Sequence, residues 1–365
     1  MEALTLKNQE QLPINLEQDA YLKNQMKKVS RSFAVVVAPL EQPLRGLLST
    51  AYLICRVADN IEDCHQSNDW KDNRFGELQN LLTDPTIAPD ILLDWEAESW
   101  PGLTPDEVMM MGLSAGEELW RIYANIPITK RAIIQRWAAT MVEGMRYLGD
   151  PGRDPLFIEN QGFRVLSREK DYDEYCFIVA GTVGHMATEL AINYYNLSSD
   201  VSRRLIETSD ACGRALQKTN ILKDFNKDLG RGICYLPDEW LKVAAYSPLS
   251  LAGAPADWKR MVIENILGEL RTATEYVISL PTHAEGYRQA SLLCLLPALQ
   301  TNMLAAKVQD RLFTSKHEYK ISRLNLRKCM LDARRLARDN EQILAYSDKL
   351  HSEIKGIFKS SQGKI

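Results

Sequence analysis

The sequence predicts a single all-α domain of many helices. Apolar residues recur at threefold and fourfold spacings over 44–63, 130–148, 173–195, 201–228, 258–279, 287–312 and 321–355, the period of helices with one buried face. No series of alternating polar and apolar segments joined by hairpin turns is seen, so a large sheet is not expected. No composition shift marks a domain boundary, and no repeat of roughly 20–50 residues occurs.

The elements follow in chain order. Residues 1–20 are polar and acidic, lack the apolar core of a secretory signal and are expected to be flexible. The run Val35-Val36-Val37, just before Pro39, is the one strand-like stretch. Residues 44–63 carry Leu44, Leu47, Leu48 and Ala51 on one helical stripe. Pro85, Pro89, Pro101 and Pro105 break 84–105 into loops around a short helix. Gly149–Pro155 and Tyr246–Pro255 read as loops. Ala290–Ala306 is the most apolar long segment, but it contains Pro297, Gln300, Thr301 and Asn302 and reads as a buried helix. The folded domain is expected over 21–350, with a polar tail at 351–365.

Composition narrows the function. The chain has 365 residues, 45% hydrophobic and 25% charged, enough for a sizeable core and too apolar for general disorder. With 44 basic and 48 acidic residues the net charge is −4, which speaks against a nucleic-acid partner. The balance is uneven. Residues 307–338 hold ten Lys or Arg against three acids, which reads either as a solvated helical face or as a surface for anionic lipid headgroups. Seven cysteines without a Cys-x-x-Cys pair suit a reducing compartment. Five scattered histidines without His-x-x-x-His argue against a zinc site. Phosphate-loop, dinucleotide-binding and Gly-x-Ser-x-Gly motifs are missing.

Two motifs carry the chemistry. Asp59-Asn60-Ile61-Glu62-Asp63 ends an apolar helix, and Asp59 and Asp63, four apart, share a face with Glu62 alongside. Tyr52 and Arg56 continue that stripe. In Gln217-Lys218-Thr219-Asn220-Ile221-Leu222-Lys223-Asp224-Phe225-Asn226-Lys227-Asp228, the acids Asp224 and Asp228 again share a face, extended by Gln217 and Asn220. Acids at this spacing repel by a few tenths of a kcal/mol per pair, which a solvated helix end tolerates. Two such pairs, each continued by amide or guanidinium groups, point instead to hard-oxygen ligands for Mg2+ (Mn2+ is an alternative) around a diphosphate. Arg56, Lys223 and Arg231 are spaced to neutralise a leaving group. Asp150 and Asp154 have the same spacing, but Pro151 and Gly152 lie between them, so that pair is discounted.

These residues, with Ser30-Arg31-Ser32-Phe33, Tyr175 to Gly184, and Gly230-Arg231 followed by Tyr235-Leu236-Pro237, resemble the motifs of the squalene and phytoene synthase family, in that family's order over about 26–300. The resemblance implies the all-α isoprenoid synthase fold with a central cavity. It implies Asp59, Glu62, Asp63, Asn220, Asp224 and Asp228 as the magnesium site. Tyr175 would manage a proton and the released diphosphate. Ser30, Arg31, Ser32, Phe33, Tyr52, Arg56, Gln217, Asn220, Lys223 and Arg231 would bind substrate, with Val179, Leu216, Cys294 and Pro297 at the prenyl chain. Leu293 corresponds to a further cavity position. Gly181 and Gly184 suit either close helix packing or room for a prenyl tail.

The implied reaction joins two farnesyl diphosphates head to head through a cyclopropyl diphosphate, with NADPH then giving squalene. Gln217-Lys218-Thr219-Asn220-Ile221 and Cys294-Leu295-Leu296-Pro297 resemble the squalene-forming members. Gly181-Thr182-Val183-Gly184 and Ile233-Cys234-Tyr235-Leu236-Pro237 are similar to the carotenoid branch, whose products, phytoene or dehydrosqualene, need no reductant. A non-catalytic assembly factor of the same fold would be expected to lose aspartates that are all present here. The polar end of the chain resembles a bacterial-type enzyme, expected in the cytoplasm or peripherally at the inner face of the membrane.

Overall fold

The structure, a computed structural model, describes residues 14–148, 156–314 and 319–362. Residues 1–13 and the loop expected at Gly149–Pro155, with Asp150 and Asp154, lie outside the described residues. Helices dominate, as the periodicity predicts, and the described residues fall into two compact units. The first lies within Met1–Asp150 and adds His185–Leu197; the second lies within Pro151–Gly184 and Ser198–Ile365.

The first unit is organised around one buried helix. Helices α1 (Leu16–Val29), α2 (Arg31–Val37) and α3 (Leu44–Asp63) are followed by α4 (Asn68–Thr83), α5 (Ala88–Ala97), α6 (Pro105–Met111), α7 (Leu113–Ala124) and α8 (Ile128–Leu148). Helix α1 starts at Leu16 because Asn15 caps it, accepting from the Gln18 amide at 2.8 Å; residues 16–20 are therefore helical. Helix α3 has the bounds its periodicity predicts, and Leu44, Leu47, Leu53, Ile54, Val57 and Ile61 on it are buried. The Arg146 guanidinium of α8 donates to both Asp72 oxygens, at 2.8 and 2.9 Å, and so ties α8 to α4. The strand-like Val35–Val37 is helical in α2. Branched side chains disfavour a helix only weakly, and here Phe33 on the same helix is held by a tertiary contact.

In the second unit a small sheet interrupts the helices, which the sequence analysis did not anticipate. Strands β1 (Phe157–Asn160) and β2 (Phe163–Leu166) form an antiparallel hairpin, and β3 (Ile233–Cys234) pairs parallel with β2. The hairpin loop is Gln161-Gly162, with φ of 52° and 83°, the two-residue turn whose twist matches paired strands. The helices are α9 (Glu169–Cys176), the first residues of α10 (Thr182–Tyr195), α11 (Ser199–Gly230), α12 (Asp238–Ala244), α13 (Ala256–Ser279), α14 (Glu285–Lys307), α15 (Arg323–Leu336) and α16 (Asn340–Gln362). The loop expected at Tyr246–Pro255 contains a 3-10 turn over Pro248–Gly253. Helix α16 runs through most of the stretch expected as a polar tail, where Ile354 and Phe358 are buried.

Between α9 and α10 a π turn, Phe177–Gly181, continues the helix. That 169–195 helix is the one stretch among the described residues long and apolar enough to cross a membrane, and half of its most apolar window is buried inside the fold. Ala290–Ala306 is a largely buried part of α14, as its polar interruptions predict. Helix α11 packs on α13 and α14, and at two points its backbone nearly touches that of the 169–195 helix. A Cβ on Gly213 would sit 2.1 Å from the Ala180 carbonyl oxygen, and one on Gly184 would sit 2.4 Å from that of Ser209.

Candidate functional site

The first carboxylate pair stands at the end of α3, on the stripe that Tyr52 and Arg56 occupy. Arg56 lies 3.5 Å from Asp59 and also pairs with Glu107 of α6. Glu107 is held in turn by Thr104, whose amide and hydroxyl each donate to it at 2.8 Å. Burial raises the Glu107 carboxyl, but the Thr104 bonds and Arg56 outweigh it and keep it below its ordinary value. Asp59 goes the other way. Burial pushes it up to about 7; Arg56 opposes this, while Asp63 and Glu107 add to it. The Lys71 ammonium donates to the Glu62 backbone oxygen at 2.6 Å. Asn60 turns inward, fully buried with its amide nitrogen 3.5 Å from the Met111 sulfur.

The segment Ser30, Arg31, Ser32 and Phe33 meets α3 at Tyr52, through the Phe33 ring and a hydrogen bond with Ser30. Ser30 separates α1 from α2, while Arg31 and Ser32 are exposed. The Phe33 ring stacks on Tyr52 with centroids 4.1 Å apart. Burial pushes the Tyr52 phenol up to about 12, against a hydrogen bond with Ser30 that pulls it down.

The second pair lies in the last two turns of α11. Lys223 bonds the Asn220 side-chain oxygen at 2.9 Å and pairs with Asp224 at 3.2 Å. Helix α11 ends where the Arg231 amide donates to the Asp228 carbonyl at 2.9 Å. Gly232, at φ 79°, then turns the chain into β3. Gln217 and Leu216 sit half-buried one to two turns earlier, and Cys294 and Pro297 sit half-buried on α14. Cys212, one turn before Leu216, is raised by burial first and then by the nearby Cys294.

Tyr175 is buried under the hairpin. Its ring stacks on Tyr235 at 4.6 Å and meets the edge of Phe157 at 6.2 Å, and the Arg164 guanidinium covers Phe157 at 4.7 Å. The sheet unforeseen in the sequence therefore forms the wall that holds this tyrosine. Val179 lies in the π turn one helical turn on, a feature often found at functional sites.

Two groups near these motifs were not foreseen as site residues. Glu107 left one trace, a Thr-x-x-Glu capping box at 104–107. Lys218 was read only as part of a motif. Its ammonium is buried, 2.6 Å from Asp173, 2.9 Å from Glu269 and 2.9 Å from the Asn265 oxygen, and it joins α9, α11 and α13.

Among the described residues no three His, Cys, Asp or Glu side chains gather tightly enough to hold a metal by themselves. One pair of carboxylates lies in each unit. Magnesium keeps most of its ligands as water and phosphate oxygen and takes one or two from protein carboxylates. At Asp59, burial and the neighbouring Asp63 and Glu107 carboxylates disfavour the charged form, and a bound cation would favour it.

The model of the squalene/phytoene synthase family matches residues 26–325. Squalene synthase ERG9 of Saccharomyces cerevisiae is 28% identical over 274 residues, covering 73% of this chain and 56% of that relative. A bifunctional lycopene cyclase/phytoene synthase of Phaeosphaeria nodorum is 26% identical over 292 residues, covering 74% of this chain and 43% of its own length. The chain spans about half the length of the curated relatives it matches. A solved ligand complex of TcSQS superposes with a TM-score of 0.75 at 21% identity, covering 93% of this chain and 96% of the other, a likeness of fold. With the family's model matched over residues 26–325, which include both aspartate pairs, the chain belongs to the squalene/phytoene synthase family.

Proposed function

We propose that this chain is a magnesium-dependent prenyltransferase that joins two farnesyl diphosphates head to head and reduces the product to squalene. One observation carries the reading. On each of two separate helices an Asp pair is present, and the first Asp of each has a cation beside it: Arg56 at 3.5 Å from Asp59, Lys223 at 3.2 Å from Asp224. A diphosphate needs both kinds of partner. Bound through Asp59, Asp63, Asp224 and Asp228, with Glu62 and Asn220 in support, magnesium would neutralise the departing diphosphate.

The chain's own groups then divide the work. Arg56, Lys223 and Arg231 draw negative charge as the carbon–oxygen bond of one farnesyl diphosphate breaks. The allylic cation is attacked by the double bond of the second substrate, and loss of a proton closes the cyclopropane. Tyr175, fixed in orientation by Tyr235 and Phe157, accepts or relays that proton. A carbocation survives only where water is kept out, and Val179, Leu216, Leu293, Cys294 and Pro297 supply apolar surface for that purpose. Ser30, Arg31, Ser32 and Phe33, braced on Tyr52, close over the diphosphate. NADPH is the reductant this reading requires; no described residue is assigned to it and no step is derived through it. The chain would work in the cytoplasm, peripheral to a membrane, because the hydrocarbon must leave into lipid.

The second reading is a phytoene or dehydrosqualene synthase, favoured by the similarity to the Phaeosphaeria nodorum protein. Incubation with farnesyl or geranylgeranyl diphosphate and magnesium, with and without NADPH, separates them. Squalene formed only with NADPH supports the first reading. Phytoene, or dehydrosqualene without reductant, establishes the second. No diphosphate release under any condition would leave a non-catalytic member of the family. Asp224→Asn should abolish release while the far-ultraviolet circular dichroism stays unchanged.

A further inference from the structure

Helix α15 has two contrasting faces. Cys329, Ala333 and Leu336 form a buried seam against α14. On the opposite side, Leu324 and Leu331 lie seven residues apart, on one line two turns long. They are 74% and 72% exposed, although leucine usually shuns such positions. Cations flank that line on both sides. Arg323, Arg327 and Arg334 run along one edge, and Lys328 and Arg335 along the other. Asp332 is the single acid on the helix, and it pairs with Arg335. The helix thus carries a net charge of +4 in a chain that nets −4. Past its end, Leu331, Arg334, Arg335 and Arg338, with Glu285, line an open depression of about 480 Å³.

We infer that α15 is a membrane-docking helix that lies in the headgroup layer of an anionic phospholipid bilayer. Leucines at the centre of a cationic face are what an in-plane helix needs, with apolar side chains entering the acyl boundary and guanidinium groups meeting phosphates beside them. Long basic side chains reach outward from such a helix while their stems stay in apolar surroundings. A polyanion such as nucleic acid would be matched by the cations alone and leave the two leucines unexplained. The inference deepens the membrane reading above by naming the element and the lipid class. It does not require the proposed reaction, since docking needs no substrate.

The test is flotation of the purified full-length chain with phosphatidylcholine vesicles, with and without phosphatidylglycerol. Binding is expected only with the anionic lipid and should weaken as salt rises. Removing three cations with Arg327→Gln, Lys328→Gln and Arg334→Gln should lower the partition coefficient about 100-fold. Leu324→Ser with Leu331→Ser, which leaves the charge intact, should lower it about tenfold. All five positions are exposed, so helicity should be retained. Binding to neither vesicle, or equal binding to both, overturns the inference. So does loss of binding in the arginine variant alone, which would mark an unselective polyanion patch. Diphosphate release measured in detergent should be unchanged in both variants. Release without docking therefore sinks only the membrane inference, and docking without release sinks only the proposed reaction.

Discussion

Glu107 pairs with Arg56, one helical turn ahead of Asp59, while its other oxygen caps the start of α6 through Thr104. The cation beside the first aspartate is thus aimed by a carboxylate 51 residues further along. Glutamine at 107 can keep the capping box and lose the charge. Glu107→Gln should therefore shift stability by less than about 1 kcal/mol. It should slow diphosphate release about tenfold, the usual order for a misplaced charge-assisted bond. Steady-state release from farnesyl diphosphate checks this; an unchanged rate would show that Arg56 holds its place without Glu107.

The carboxyl of Asp59 makes the metal-free protein sensitive to pH. Because burial lifts it to about 7, the folded chain holds a proton between roughly pH 4 and 7 that the unfolded chain has released. Stability therefore falls as pH rises through that window. With the side chain 31% exposed, solvent screening leaves a loss on the order of 1–2 kcal/mol. Thermal unfolding should show a lower midpoint at pH 8 than at pH 5 from this group. Magnesium should raise the midpoint at pH 8 and have little effect at pH 5. Asp59→Asn should stabilise the metal-free chain at pH 8 and blunt its response to magnesium. A wild-type midpoint indifferent to magnesium at pH 8 would contradict the ion's assignment to this end of α3.

Gly213 and Gly184 set how closely α11 and the 169–195 helix approach. An added methyl at either meets a backbone carbonyl, at 2.1 or 2.4 Å, and a carbonyl in a helix cannot swing aside as a side chain can. Gly213→Ala should cost about 2–3 kcal/mol through overpacking, read as a drop in urea midpoint. Gly181→Ala meets the Phe177 ring at 2.8 Å and the Asp210 Cβ at an ordinary 3.4 Å, both side-chain atoms, and should cost less. Equal losses at 181 and 213 would refute the distinction.

Removing only the Tyr175 hydroxyl leaves its stack on Tyr235 in place. Tyr175→Phe should unfold within about 1 kcal/mol of the parent. It should slow product formation by roughly a hundredfold or more, as loss of a proton-handling group does. Product analysis by gas chromatography reads the effect, and turnover near the parent's would remove Tyr175 from the chemistry.

Several of these relationships were visible in the sequence, and others had no local signature. The aspartate pairs could be read because the fourfold spacing alone puts Asp59 with Asp63 and Asp224 with Asp228. The extent of α3 could be read because its apolar stripe runs unbroken from Leu44 to Ile61. The hairpin left a faint sign, Gln161-Gly162 between two short apolar runs, too brief to stand out from helical surroundings. Val35–Val37, strand-like but too short to imply a sheet, is helical because local β preference is weaker than the packing of Phe33 on Tyr52. Glu107 and Lys218 escaped because their roles depend on partners distant in sequence, a fact of tertiary packing that no local pattern records.

The π turn at Phe177–Gly181 sets the rotational phase of its helix. Its hydrogen bonds span five residues where those of the α-helix span four, so one extra residue is held there and the part bearing Tyr175 is rotated by about 100° against the part bearing Gly184, the angle of a single helical residue. Excising one residue between 177 and 181 would restore a regular ladder of hydrogen bonds. With Gly184 still seated on Ser209, Tyr175 would then swing off Tyr235. The extra residue thus lets one continuous helix meet two demands that a regular one could not satisfy together: close backbone contact at one end and an aimed phenol at the other.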